Sequence, residues 1–175
     1  MDAIQLKPEQ AAQILGNIFV GAEIITFEYS ADFILRVQRD TSPNQQQLDV
    51  RIPPIFCLRL EADWWVGDRE LWDESQKLFP IRELRQFSTT DMPMRAAVIA
   101  QMLGSKILDV RIAFDGRLSI LTTDKITLTV PGVSQGFDYS WSIELPADDA
   151  QRNEWSLVCE TNGGLYGRVP VPLNA

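Results

Sequence analysis

This 175-residue chain contains no histidine, and the candidate catalytic side chains considered first are its two cysteines and 24 carboxylates. Without histidine the chain lacks the most common general base and metal ligand, and it cannot form a Ser-His-Asp or Cys-His arrangement. Cys57 lies in the apolar run 55–58, where a thiolate is disfavoured, and Cys159 follows a valine far away in the chain. The two cysteines do not have the spacing of metal ligands, so we predict two buried thiols in a reducing compartment.

Asp148 and Asp149, with Glu144 nearby in the sequence, are carboxylates that could bind a divalent cation or act as acid and base. The pair follows Pro146 in a predicted loop, and a calcium loop would add further oxygen ligands and a glycine at its bend. We expect solvated loop charges here, and the sequence leaves open whether Asp148 and Asp149 bind a cation. Two carboxylates far apart in the chain could still form a hydrolase site, which sequence alone does not reveal.

The segment EADWWVGDRELWDE (61–74) places six acidic residues and one arginine around three tryptophans. Tryptophan surrounded by carboxylates is the composition expected where an acidic surface binds a basic, partly apolar partner. We therefore name as candidate partner-binding residues Asp63, Trp64, Trp65, Asp68 and Glu70.

Successive side chains of an extended chain alternate, so Trp64 and Trp65 cannot both face one core. One of them is then exposed or covers a groove. The alternative interpretation is that Trp64 packs inside, Trp65 covers an edge, and the acidic residues solvate a loop. Trp72 is predicted to be a core residue.

The formal net charge of −8 limits the class of partner. An acidic surface repels phosphates, so we predict no nucleic-acid binding and favour a basic protein as partner. The start of the sequence has no basic region followed by an apolar run, and no stretch is long and apolar enough to cross a bilayer. We expect a cytoplasmic protein that does not bind membranes.

Two parts of the sequence share one apolar pattern when Gly21 is aligned with Gly104, 83 positions later. Residues 14–37 and 97–120 then stay in phase through one helix-like and two strand-like segments. Further alignment pairs two later segments of each part: 48–54 with 126–132, and 56–63 with 141–148. We infer an internal duplication with a joint at 86–93, which divides the chain into repeats 1–87 and 88–175.

Each repeat is predicted to begin with a helix that ends at a glycine. The first helix starts near Pro8 and has an apolar stripe at Ala11, Ile14, Leu15 and Ile18. The second runs from Met94 to Leu103, with apolar positions at Ala97, Val98, Met102 and Leu103. A third, short helix is predicted within 67–79.

Strands follow each helix. In the second repeat Val110, Ile112 and Phe114 are predicted to face the core, and Asp115-Gly116 to form a tight hairpin turn. The corresponding turn of the first repeat, at 31–32, lacks glycine and is expected to be longer or looser. Further strands are predicted at 126–130, 139–145, 155–161 and 165–169.

Two of these strands carry more specific expectations. Tyr139 and Trp141 alternate in step, so both are expected to face the core. Residues 165–169 are expected to form an exposed sheet edge, where Pro170 and Pro172 would hinder pairing between chains. The oligomeric state stays open.

The predicted fold class is α+β, with two tandem repeats that each consist of a helix followed by an antiparallel sheet. A unit of half this chain has too small a core to be stable alone. We therefore expect the two repeats to bury a shared apolar face around an approximate two-fold axis.

Residues 107–120 and 139–145 resemble a recurring unit of uncharacterised bacterial β-rich domains, some of which accompany toxins as immunity proteins. The unit has an Ile-rich strand, a turn with Asp-Gly, a returning strand and a Trp-containing strand near a polar loop. The resemblance implies a cytoplasmic, non-catalytic protein that acts by surface complementarity, and it assigns no functional residue.

The functional hypothesis is a non-catalytic acidic protein-binding domain of immunity or regulatory type, with no catalytic residue, no metal site and no cofactor. Two alternatives stay open. One is a small-ligand-binding protein with a pocket between the repeats, and the other is a histidine-free carboxylate hydrolase.

Overall fold

The fold is α+β, with three helices and two antiparallel sheets in the part of the chain that the structure describes. This computed structural model describes residues 3–29, 32–39, 52–78, 92–136, 138–152 and 154–169. The helices are α1 (Pro8–Phe19), α2 (Arg69–Leu78) and α3 (Met92–Met102). The strands are β1 (Ile4–Leu6), β2 (Glu23–Tyr29), β3 (Phe33–Gln38), β4 (Ile55–Leu60), β5 (Trp65–Val66), β6 (Ile107–Ile112), β7 (Leu118–Thr122), β8 (Thr127–Val130), β9 (Tyr139–Glu144), β10 (Ser156–Glu160) and β11 (Leu165–Arg168).

Helix α1 confirms its sequence prediction. It begins at Pro8, whose missing N–H costs nothing in the first turn, and the Gln10 side chain accepts a hydrogen bond from the backbone N–H of Lys7 (3.0 Å). The predicted apolar stripe is buried together with Phe19. The chain leaves the helix at Gly21, whose φ of 84° lies in the left-handed region.

Helix α3 forms where expected and is followed by Gly104, with φ of 81°, but part of its predicted core face is wrong. Ala97 and Leu103 are exposed, whereas Met94, Arg95, Ile99 and Met102 are buried. Relative to its predicted orientation, the helix is rotated about its axis, because the side that carries Arg95 packs over Trp64 and Trp72 of the first half. No helix among the described residues is long and apolar enough to span a membrane.

The larger sheet has seven antiparallel strands in the order β1-β11-β10-β9-β4-β3-β2. Strand β11 is paired on both sides, since β1 joins it with Ile4 opposite Gly167. The expectation of an exposed edge at 165–169 is therefore wrong. The sequence did not predict β1 because three residues are too short to show a period of two.

The smaller sheet has the order β5-β8-β7-β6. The second half does not keep its strands in one sheet, because β9 pairs with β4 and brings β10 and β11 into the larger sheet. This corrects the expectation that each half has a sheet of its own. Strand β4 is the third strand of the meander β2-β3-β4, and β8 is the third strand of the meander β6-β7-β8, so β4 corresponds to β8. The alignment of 56–63 with 141–148 instead matched β4 with β9, which is its neighbour in the larger sheet.

The turns that follow α1 and α3 exchange backbone hydrogen bonds in reciprocal pairs. The N–H of Gly21 donates to the carbonyl of Ile107 (2.8 Å), and the N–H of Ile107 donates to the carbonyl of Ala22 (2.8 Å). In the same way, the N–H of Gly104 donates to the carbonyl of Ile24 (2.8 Å), and the N–H of Ile24 donates to the carbonyl of Ser105 (3.1 Å). Helix α1 packs against β6, and α3 packs against β2. Each helix therefore covers a strand of the other half of the chain.

The hairpin turns differ from their predictions. In the β6–β7 hairpin, Ala113 and Arg117 are the last hydrogen-bonded pair and Gly116 has a positive φ, so the loop has three residues. Phe114 lies at its tip and is 95% exposed, so its predicted core position is wrong. Tyr29 pairs with Phe33 across three intervening residues, as many as in the β6–β7 loop, so the first turn is not longer. Whether it is looser depends on residues 30–31, which lie outside the described residues.

The buried apolar side chains of both halves form one cluster. Cys57 and Cys159 are both free and buried, which confirms the sequence prediction for their burial. Trp141 is fully buried, but Tyr139 is 40% exposed, so its predicted core position is wrong. A β-bulge opposite these residues, between Cys159 and Glu160, breaks the alternation on which that expectation depended. The proposed joint at 86–93 lies mostly outside the described residues, and the boundary between the halves stays a prediction.

Gly132 is required where two loops cross. A Cβ atom at this position would lie 1.9 Å from the carbonyl oxygen of Asp115 and 2.3 Å from the carbonyl carbon of Gly116, and backbone atoms cannot rotate away. We expect Gly132→Ala to lower the free energy of unfolding by about 3 kcal/mol. Gly16→Ala is the control, because a Cβ atom there, inside α1, meets nothing within 4 Å. It should raise stability by about 0.5–1 kcal/mol. Urea unfolding measures both, and equal effects would contradict the close approach.

Candidate functional site

Residues 61–74 form a turn, the edge strand β5 and helix α2. Asp68 caps α2, since its side chain accepts a hydrogen bond from the N–H of Leu71 (3.0 Å) and its carbonyl accepts one from Trp72 (3.0 Å). Glu70 in the first turn and Lys77 in the last turn have the charges that the helix dipole favours at those ends. The local sequence thus fixes where α2 begins and turns Trp72 into the core.

Trp64 and Trp65 face opposite ways. Trp64 is 2% exposed and packs edge-on against Phe33, with ring centroids 5.2 Å apart, and also contacts Trp72 (5.8 Å). Trp65 is half-buried in β5, where it pairs with Thr129 of β8 at the edge of the smaller sheet. These positions agree with the alternative interpretation given in the sequence analysis, in which Trp64 packs inside and Trp65 covers an edge.

Arg95 of α3 packs against Trp64 and Trp72, the two buried tryptophans of the first half. It is 5% exposed, and its guanidinium lies 4.6 Å from the centroid of the Trp64 ring and 5.8 Å from that of Trp72. Nη1 donates to the carbonyl of Trp64 (2.6 Å), and Nη2 donates to a carboxylate oxygen of Asp63. Sequence reasoning missed this residue, although a single charge in the otherwise uncharged helix MPMRAAVIAQM was a signal that could have identified it.

Asp63 is bound by two arginines. Besides Arg95, Arg69 donates to it from Nη2 (2.8 Å) while its Nε donates to Asp73 (3.0 Å) and its guanidinium stacks 4.9 Å from the Trp65 centroid. Partial burial alone would raise the pKa of Asp63, but the hydrogen bonds and charges of Arg69 and Arg95 outweigh burial and hold that pKa below its usual range. We call this group the Asp63 cluster: Asp63, Trp64, Arg69, Asp73 and Arg95.

The outer side of α2 is different. Leu71 is 65% exposed, and Glu70 and Glu74 beside it are exposed and form no ion pair with any residue that the structure describes. Glu74 lies three positions after Leu71 and four after Glu70, and side chains at these spacings are neighbours on the surface of a helix. We call Glu70, Leu71 and Glu74 the α2 face.

The five candidate residues therefore have different structural roles. Asp63 and Trp64 belong to the packed cluster, Trp65 covers the sheet edge, and Asp68 caps the helix. Asp68 and Glu70 are both exposed and have no charged partner in the described part of the chain, but the Asp68 carboxylate accepts the N–H of Leu71. At the surface of the segment 61–74, Leu71 and Glu74, rather than the tryptophans, accompany Glu70.

The two candidate carboxylates of the loop after β9 have different surroundings. Asp149 accepts a hydrogen bond from the N–H of Gln151 (2.8 Å) in a turn, and Asp148 is exposed. The described residues contain no group of three or more side chains that could hold a metal ion. Burial, together with the nearby charge of Asp32, raises the pKa of the half-buried Glu61.

A cavity between α1 and the larger sheet is lined by residues of both halves, including Ile18, Phe56, Ile143 and Trp155. Its volume is about 10 Å³, which is room for about one water molecule. It therefore offers no space for the metabolite that the pocket-between-repeats alternative requires.

Comparison of the chain with protein-family models, with curated proteins and with solved structures gives no match. The functional argument therefore depends on the geometry of the described residues alone.

We predict that Arg95 stabilises the fold far more than a surface arginine does. Arg95→Ala removes a buried side chain from two tryptophan rings and leaves the Trp64 carbonyl without its donor, so the free energy of unfolding should fall by about 2–4 kcal/mol. The control is Arg111→Ala, because Arg111 is 79% exposed and, among the described residues, forms an ion pair only with Asp109. Its effect should stay within about 0.5 kcal/mol. Similar urea midpoints for the two variants would show that the Asp63 cluster is not a stabilising element.

Proposed function

We propose that this chain is a non-catalytic protein-binding domain that recognises a basic protein through the α2 face, as an immunity or regulatory protein does. The observation that supports this proposal most strongly is the contrast between two sets of charges in 61–74. Those of Asp63, Arg69, Asp73 and Arg95 are paired with one another, whereas Glu70 and Glu74 flank an exposed leucine.

The α2 face is suited to binding because it is fixed before a partner arrives. Trp72 anchors α2 in the core, Asp68 caps its first turn, and Arg69 ties it to Asp63. A preformed helix loses little conformational entropy on association, so more of the contact free energy appears as affinity.

The charge pattern indicates a basic partner with an apolar contact. Carboxylates around Leu71 attract lysine and arginine side chains and speed encounter, while burial of the leucine slows dissociation. The net charge of −8 adds long-range attraction for a positively charged partner and repels the phosphates of nucleic acid.

The non-catalytic part of the proposal is supported by the state of the nucleophiles. Burial raises the pKa of the Cys57 thiol and raises that of Cys159 to about 12, so neither forms a thiolate at neutral pH. Two free, buried cysteines also suit a reducing compartment, and the cytoplasm is the location we propose.

We further propose that the chain arose by duplication of a unit made of a helix, a glycine turn and a three-stranded meander. Three observations support it: the four reciprocal hydrogen bonds at Gly21 and Gly104, the packing of each helix on the other half, and β-bulges after Ile24 and Ile107 at equivalent places. An approximate two-fold axis would pass near Glu23 and Lys106, which form an isolated antiparallel bridge.

The test is capture of partners by the immobilised full chain at low salt, with the captured proteins identified and then purified. We expect at least one basic protein whose affinity for Glu70→Lys/Glu74→Lys falls at least about tenfold, because two attractive carboxylates become repulsive charges. Leu71→Ala should weaken the same complex mainly through a faster dissociation rate.

The matched control is Glu9→Lys/Asp148→Lys, which changes the net charge by the same amount at exposed sites outside 61–74. It should reduce the association rate slightly and leave the dissociation rate unchanged. If both double variants weaken the complex equally, non-specific attraction explains the binding and the α2 face is not its site.

A further inference from the structure

Exposed apolar side chains surround the two turns that follow α1 and α3. Val20 and Leu103 are the residues before the glycines of these turns, and both are exposed. Leu108 is 51% exposed and lies beside Gly21, because the N–H of Gly21 donates to the carbonyl of Ile107. Three large apolar side chains therefore face solvent within two turns that are hydrogen-bonded to each other.

A fourth apolar side chain borders the other turn. The N–H of Gly104 donates to the carbonyl of Ile24, which places the half-buried Ile25 beside Gly104 as Leu108 lies beside Gly21. Ile25 and Leu108 are the extra residues of β-bulges in β2 and β6. A Cβ atom at Gly104 would meet nothing within 4 Å, so the space next to these side chains is open.

Glu23 and Lys106 lie between the two turns. They are opposite each other in an isolated antiparallel bridge, and both point away from the core because the residues that follow them, Ile24 and Ile107, are buried. Glu23 is half-buried, Lys106 is exposed, and neither forms an ion pair with any residue that the structure describes. We call this surface the turn face, and it consists of Val20, Glu23, Ile25, Leu103, Lys106 and Leu108.

The turn face differs in charge from the molecule as a whole. Its carboxylate and its ammonium group cancel, and the neighbouring turn, whose Thr123 N–H donates to the carbonyl of Lys106, adds Asp124 and Lys125, again one charge of each sign. The whole chain has a net charge of −8. Two copies of the chain would therefore repel each other less through this face than through an average surface. At physiological ionic strength the Debye length is about 8 Å, so distant charges add little.

We propose that the turn face joins two copies of this chain in a two-fold symmetric homodimer. In a two-fold interface each contact occurs twice with the roles exchanged, so Glu23 of each copy faces Lys106 of the other. The apolar side chains around this pair supply the surface that the dimer buries.

The charge pattern favours a second copy over other partners. A face with one carboxylate and one ammonium group is complementary to itself when it is turned over. A basic protein, to which the α2 face is suited, would place like charges against Lys106, whereas nucleic acid or an anionic membrane would place them against Glu23. The turn face shares no residue with the α2 face, and the dimer does not depend on the proposed capture of a basic protein.

The experiment is sedimentation equilibrium of the full chain at about 0.15 M salt, over concentrations from about 1 µM to 1 mM. The turn face is small, so we expect a monomer–dimer equilibrium with a dissociation constant on the order of 10–100 µM. Glu23→Lys and Lys106→Glu each convert both Glu–Lys contacts into like-charge contacts and should weaken the dimer at least about tenfold. Glu23→Lys also makes the net charge less negative, so general repulsion between acidic chains would not explain its weaker dimer.

Two combinations of these changes should restore association. The double variant Glu23→Lys/Lys106→Glu keeps the net charge and regains both opposite-charge contacts. An equimolar mixture of the two single variants should form a heterodimer, because every lysine of one copy then faces a glutamate of the other. Each dissociation constant should lie within about threefold of that of the unchanged chain.

The apolar part of the turn face is tested with a matched pair of leucine variants. Leu108→Ser should weaken the dimer at least about fivefold, because less apolar surface is buried on association. Leu71→Ser removes an exposed leucine from the α2 face and should leave the dimer unchanged. Both leucines are exposed, so neither change should disturb folding, which equal urea midpoints verify. Leu108→Ser should also leave capture through the α2 face intact, so failure of one proposal is distinguishable from failure of the other.

A chain that stays monomeric up to about 1 mM would overturn the proposal. A dimer that neither single charge variant weakens, or a double variant that does not regain association, would overturn it as well. If the unchanged chain is monomeric and Leu108→Ser loses a captured basic protein, the turn face belongs to an interface with a different protein and the proposal is wrong.

Discussion

Four backbone hydrogen bonds between the turn after α1 and the turn after α3 determine how the two halves of this protein meet. Both turns need a residue with positive φ, which glycine adopts without strain at Gly21 and Gly104. Because the bonds are reciprocal, they fix the position of each helix over a strand of the other half: α1 over β6 and α3 over β2. The buried apolar side chains of both halves form one connected cluster.

The Asp63 cluster is a consequence of this arrangement. Placement of α3 over the first half brings Arg95 to Trp64, and the arginine then neutralises Asp63 and fixes the start of β5. Helix α2 is tied to the same aspartate through Arg69. The α2 face that we propose as the binding surface is therefore supported by residues from both halves, although all its own residues come from one short segment.

Local features were predictable from the sequence because their signals are local. The stripe of α1, the short helix α2 and the burial of both cysteines follow from periodicity and composition, and the structure has all three. Features that depend on distant pairing were not predictable. The sequence does not show that β9 joins β4, that β1 covers β11, or that a bulge exposes Tyr139. The candidate segment 61–74 was recognisable by composition, but Arg95, which completes its charge pairing, lies in α3 and has no sequence relation to it.

The most direct test of the reciprocal exchange is native-state hydrogen exchange at the amide groups of Gly21 and Gly104, followed as a function of denaturant. If these hydrogen bonds join two halves that cannot open separately, both amides should exchange only through global unfolding. Their opening free energy and denaturant dependence should then equal those of the fully buried Leu58 in β4. Exchange of either glycine through a smaller opening, with a lower free energy and a weaker denaturant dependence, would contradict the account.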